Sequence, residues 1–133
     1  MDKKIISTAA VFGMIAIILG AFGAHGLKNV LTVGQLTTFE TGVRYQMYHA
    51  LFLLFIGTTS IINQKLKKTI LNLTILGVLF FSGSIYLLAT NSLMPIDFKV
   101  IGFITPIGGL FLISAWFVLL FDLIKPLKKK NKL

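Results

Sequence analysis

The chain has 133 residues, of which 56% are hydrophobic and 13% charged, where a soluble domain carries roughly 25% charged residues. With a mean hydropathy of +0.89, this excludes an ordinary water-soluble fold and makes lipid the solvent for most of the chain. Thirteen Lys and Arg against four Asp and Glu give a net charge of +9, but the lysines cluster at the ends of apolar segments, so the surplus reads as a topology signal that meets anionic lipid head groups and not as a nucleic-acid surface.

Four apolar stretches, residues 5–24, 45–62, 69–90 and 100–124, are each long enough to cross a hydrocarbon core of roughly 30 Å as a helix. They predict an all-α integral membrane four-helix bundle, a single domain over residues 1–124 followed by a basic tail, 125–133. Lys3 and Lys4 precede the first stretch, and small Ala21 and Gly23 lie near its end, as in a signal peptide. Its apolar run exceeds the roughly 7 to 15 residues of such peptides, so it is expected to be retained. Ala9 and Gly13, Ala16 and Gly20, and Gly20 and Ala24 are small residues four apart, a pattern that lets helices approach closely.

Between the first two stretches, Leu27, Val30, Leu31, Leu36 and Phe39 alternate with polar residues, which predicts a short amphipathic interfacial helix running into the second span. Thr32 with Gln35 and Thr37 with Glu40 both have capping-box spacing. Lys65, Lys67 and Lys68 mark the loop after the second span. Residues 91–99, with Pro95 and Asp97, form a short turn. In the fourth span Gly102, Gly108 and Gly109 thin the helix, Pro106 is expected to kink it and free the Gly102 carbonyl, and Trp116 is expected to be packing or lipid-facing.

Four spans place both termini on one side. Ten basic residues fall on that side and three, Lys28, Arg44 and Lys99, on the other, so the positive-inside rule puts both termini in the cytoplasm.

The run from Phe39 to His49 carries the most chemistry. Glu40 and Arg44 are four apart with the acid first, the favourable order for an ion pair on a helix, and Tyr48 continues that face. Tyr45 and His49 share an adjoining face, with His49 about 7.5 Å deeper than Arg44 at 1.5 Å per residue. Counting by depth places His25, Tyr86 and Thr105 at the same outer level, which predicts a polar pocket in the outer half of the membrane. An ionisable group inside a span is a functional candidate, and His49 is the one here. A metal site would need His25, His49 and Glu40 to converge, and their spacing matches no zinc motif; no metal and no resident cofactor are expected. Ser82-Gly83-Ser84 lacks an evident base and reads as packing.

The runs Gly20-Ala-Phe-Gly-Ala-His-Gly-Leu27, Phe39-Glu-Thr-Gly-Val-Arg-Tyr-Gln-Met-Tyr-His-Ala-Leu51, Phe81-Ser-Gly-Ser-Ile-Tyr86 and Ile104-Thr-Pro-Ile-Gly-Gly109 together resemble the domain-of-unknown-function 423 family of small bacterial membrane proteins, over nearly the whole chain. The resemblance implies four helices and a plasma-membrane location but no reaction. It also implies that His25, Tyr45, His49, Ser82, Tyr86, Thr105 and Pro106 match the family's patterned positions.

The leading expectation is therefore a non-enzymatic protein whose outer pocket, drawn from His25, Glu40, Arg44, Tyr45, Tyr48, His49, Ser82, Tyr86, Thr105 and Pro106, binds a lipid, a quinone-like ligand or a partner helix. Its partners are membrane lipids and either a second copy or another membrane protein. A small oligomeric transporter or channel with His49 as a proton-linked group is one alternative; a quinone- or haem-associated electron-transfer subunit is another.

Overall fold

The computed structural model describes residues 2–125. The expected basic tail lies outside these residues except for Lys125, whose ammonium sits 5.9 Å from the Phe121 ring centroid. Four helices follow one another: α1 (Asp2–His25), α2 (Val33–Thr58), α3 (Gln64–Ala89) and α4 (Ile104–Ile124). Each packs mainly on its neighbour in sequence. Ile5 of α1, Ile70 and Leu71 of α3 and Leu119 of α4 share one apolar cluster, so the two ends of the described chain meet at the same end of the bundle, called here the terminal end.

Length and composition make α1, α3 and the stretch Lys99–Ile124 able to cross a membrane. The second helix is as long but carries Glu40, Arg44, Gln46 and His49, and it is the polar member of the bundle. Helices are the expected outcome, because an unclosed chain in lipid must satisfy its backbone within each segment.

The second helix begins earlier than its apolar run and passes through the region expected to hold a separate interfacial helix; the amphipathic residues are simply its first turns. Of the two capping-box matches, Thr32 with Gln35 forms the cap: the Thr32 hydroxyl accepts from the Gln35 N–H at 3.1 Å and the Gln35 side chain accepts from the Thr32 N–H at 2.9 Å. Thr37 is already inside the helix, and its hydroxyl donates to the Val33 carbonyl. The helix ends at Thr58, four residues before the apolar run does, and Asn63 then caps α3 by accepting from the Leu66 N–H at 2.9 Å.

Because α3 starts at Gln64, the Lys65, Lys67 and Lys68 group expected in a loop lies within its first turns. The fourth helix is preceded by 3-10 turns at Asn91–Leu93 and Lys99–Phe103. Pro106 is consequently the third residue of α4, in the first turn, where a backbone N–H has no partner within the helix anyway. It does not kink the helix as expected.

Close approach is concentrated at a few glycines. A Cβ on Gly108 would fall on the backbone of Phe80 and Phe81, so α4 lies directly against α3 there. A Cβ on Gly42 would lie 2.8 Å from Cε1 of Tyr86; the missing side chain lets the Tyr86 ring cross to α2. Between helices in lipid such contacts act through dispersion, since the surrounding tails are as apolar as leucine.

Candidate functional site

Three neutral hydrogen-bonded groups occupy the middle of the bundle and the part beyond it. The first joins α1, α2 and α3. Gln46, 4% exposed, donates from Nε2 to the Phe12 carbonyl at 2.8 Å, and its Oε1 accepts from the Tyr86 hydroxyl at 2.6 Å. One helical turn away, the Ser82 hydroxyl donates to the Gly42 carbonyl at 2.8 Å. Phe39 packs on the Tyr86 ring at 5.1 Å between centroids.

The second group joins α2 to α4. His49 is buried; its Nδ1 lies 2.7 Å from the Tyr45 carbonyl and its Nε2 lies 3.0 Å from Nε1 of Trp116. A carbonyl only accepts and an indole N–H only donates. The geometry therefore fixes the neutral tautomer with the proton on Nδ1, and both ring nitrogens are occupied. The Trp116 ring also packs on Phe52 at 4.1 Å. The third group joins α3 to α4, where the Ser84 and Thr105 hydroxyls pair at 2.5 Å while Ser84 also donates to the Phe80 carbonyl. Among the described residues, the Thr74 hydroxyl is the one buried side-chain polar atom without a partner.

The expected pocket residues are thus distributed and not gathered into one cavity. His49, Ser82, Tyr86 and Thr105 enter the three groups. Tyr45 and Tyr48 lie on the outside of α2, edge to face at 5.5 Å, with Tyr45 also on Phe81 at 5.1 Å. Glu40 and Arg44 form their expected pair at 3.5 Å, both exposed. His25 and Pro106 are exposed at helix ends. His25, His49 and Glu40 do not come together as a three-ligand cluster among the described residues.

Two partners escaped the sequence reading. Gln46 sits between Tyr45 and Met47 with no motif to mark it; its place on the stripe of Phe39, Gly42, His49 and Leu53 is the signal that was there to use. Trp116 packs on Phe52 and is 47% exposed, in line with the expectation of a packing or lipid-facing ring, but its N–H is in addition the group that completes His49.

Two grooves flank the buried stripe of α1. One runs between α1 and α3, has a volume of about 240 Å³, and is lined by Phe12, Ile15, Leu19, Val78, Leu79 and Gly83 with Gln46 and Tyr86 as its only polar wall. The other lies between the end of α1 and the start of α2, about 410 Å³, with Lys28 and Glu40 among its lining residues.

At the terminal end the bonding is ionic. Lys67, 1% exposed, donates to the Thr59 carbonyl at 2.6 Å and to the Asp2 carboxylate at 3.1 Å, which Gln64 also reaches at 3.1 Å. Lys67 is therefore not a free loop charge. It ties the start of α1 to the α2–α3 turn.

A family model described as "Protein of unknown function (DUF423)" matches residues 19–109. The chain belongs to the DUF423 family. Its relatives include the UPF0382 membrane protein SSP2132 of Staphylococcus saprophyticus, 41% identical over 92% of this chain and 98% of that one. A UPF0382 membrane protein of Haemophilus influenzae is 34% identical over 94% and 97%, and the UPF0382 membrane protein YwdK of Bacillus subtilis is 35% identical over 92% and 98%. No solved structure matches this DUF423 chain. The protein is a membrane protein of a family whose function is uncharacterised. The matched segment takes in Gln46, His49, Ser82, Ser84, Tyr86 and Thr105, and it leaves out Asp2 and Trp116.

Proposed function

We propose that this DUF423 protein is a non-enzymatic, multi-pass protein of the bacterial inner membrane, with both termini cytoplasmic, that holds a lipid acyl chain in the groove between α1 and α3. The observation that carries the reading is the groove itself: an open apolar channel whose polar wall is the Gln46–Tyr86 pair, already bonded to each other. At about 240 Å³ it falls below the roughly 300 to 1,000 Å³ of sites for ring-sized ligands, which favours a single chain over a quinone.

The non-enzymatic reading draws support from how the polar groups are used. Ser82 and Ser84 donate to helix carbonyls and Tyr86 donates to Gln46, so none of these three hydroxyls is bonded to a base among the described residues. The same closure weighs against His49 as a proton carrier or haem ligand, since a second proton on the ring would face the indole N–H of Trp116. The orientation rests on the distribution of basic residues.

Gly83 borders the groove, and open space surrounds the position of its missing Cβ. Gly83→Leu is expected to fill the channel and lower the lipid retained by the purified chain in native mass spectrometry, with the unfolding temperature unchanged. Lipid retained at the original level would overturn the reading. A C-terminal reporter fusion active in the periplasm would overturn the orientation.

A further inference from the structure

The groove between α1 and α2 differs in character from the one just described. Its floor is made by Gly20, Gly23 and Ala24 on α1 and by Leu36, Phe39 and Val43 on α2, and its rim carries one cation, Lys28, and one anion, Glu40. At about 410 Å³ it reaches the range of ligand-sized sites, roughly 300 to 1,000 Å³. Lys28 forms no ion pair among the described residues, so the two rim charges line one trough without neutralising each other. Glu40 is held by Arg44 at 3.5 Å with both side chains largely exposed, a pair of the weak, displaceable kind.

An apolar trough with a cation and an anion at its rim complements a molecule that carries an anion and a cation above an apolar chain. We propose that the trough is a binding site for a phosphoethanolamine phospholipid, with Lys28 taking the phosphate, Glu40 the ammonium, and the glycine- and alanine-lined floor one acyl chain. The primary ammonium donates charge-assisted hydrogen bonds to Glu40. A phosphocholine head has no N–H to donate, and a phosphoglycerol head has no cation. Loss of such a bond is expected to weaken binding about tenfold. The site stands apart from the α1–α3 groove and does not rest on the reading given for it.

The test is native mass spectrometry of the full chain in detergent, titrated separately with dioleoyl phosphatidylethanolamine, phosphatidylcholine and phosphatidylglycerol. Phosphatidylethanolamine is expected to bind about tenfold better than phosphatidylcholine. Glu40→Gln should level the two, and Lys28→Gln should weaken all three lipids. Arg44→Gln removes the competitor for Glu40 and should raise phosphatidylethanolamine binding, a gain that a misfolded variant cannot imitate. Gly83→Leu should leave the head-group preference intact, which separates this site from the first groove. Equal binding of phosphatidylethanolamine and phosphatidylcholine by the unaltered chain would overturn the proposal, as would no gain in Arg44→Gln or a second copy of the chain occupying the trough in place of lipid.

Discussion

Lys67 and Gln46 are both buried polar side chains that fasten other helices to α1, and they do so by different chemistry. Lys67 is paired with a carboxylate at the terminal end, where the Asp2 side chain is 48% exposed. Gln46, halfway along α2, is uncharged and spends its bonds on a carbonyl and a phenol. The difference follows the cost of desolvation. An ion pair is tolerable at a helix end where one partner stays exposed, while the polar groups farther from the ends are neutral and are paired with neighbours that supply what water would.

The largest expected effect comes from splitting the ionic tie, and it is asymmetric. Asp2→Ala leaves the buried Lys67 ammonium with the Thr59 carbonyl as its remaining partner in the tie, and a buried charge deprived of its counter-charge is strongly destabilising. Lys67→Met removes the charge and leaves Asp2 exposed with Gln64 as its partner, with a loss of about 2 kcal/mol from the charge-assisted bond to the Thr59 carbonyl. Thermal unfolding in detergent should therefore rank Asp2→Ala below Lys67→Met. The reverse order would show that the tie is not desolvated.

Next in size is the neutral network. Trp116→Phe keeps an aromatic ring on Phe52 but takes the donor from His49 Nε2, at an expected cost of about 1 kcal/mol, near the scale of interhelical hydrogen bonds in membranes. Tyr86→Phe should cost a similar amount by stranding Gln46 Oε1. Adding Gln46→Leu to Tyr86→Phe should cost less than the two single changes summed, because no Oε1 is left stranded and the bond to the Phe12 carbonyl is the one further loss. A double variant as unstable as the sum of the two single changes would mean that the groups act by shape alone.

These two regions also mark what the sequence made legible. Helix number, the Glu40–Arg44 pair and the cap at Thr32 rest on local spacing, and local spacing is visible in a single chain. The identity of the cap was ambiguous because Thr37-x-x-Glu40 has the same pattern four residues into an existing helix. Lys67 was hidden by its company: three lysines within four residues look like a hydrated loop, and only the early start of α3 turns one of them inward. Pairings such as His49 with Trp116 depend on the rotation of one helix against another. Depth counting cannot supply that, so it assembled one pocket where the helices build three separate contacts.

The smallest effect is expected at the residues that looked most functional in the sequence. Glu40 and Arg44 form an exposed pair at 3.5 Å, and such pairs contribute about 0.3 to 0.5 kcal/mol on a helix. Glu40→Gln should therefore leave the unfolding temperature almost unchanged, in contrast to Asp2→Ala, although each removes one carboxylate from an ion pair. If unfolding shifts as far for Glu40→Gln as for Asp2→Ala, Glu40 is holding α2 in place and is not free to meet a ligand. If stability is unmoved while the distinction between ethanolamine and choline head groups disappears, the charge at this end acts on lipid rather than on the fold, and the two ends of the bundle use their carboxylates for different ends.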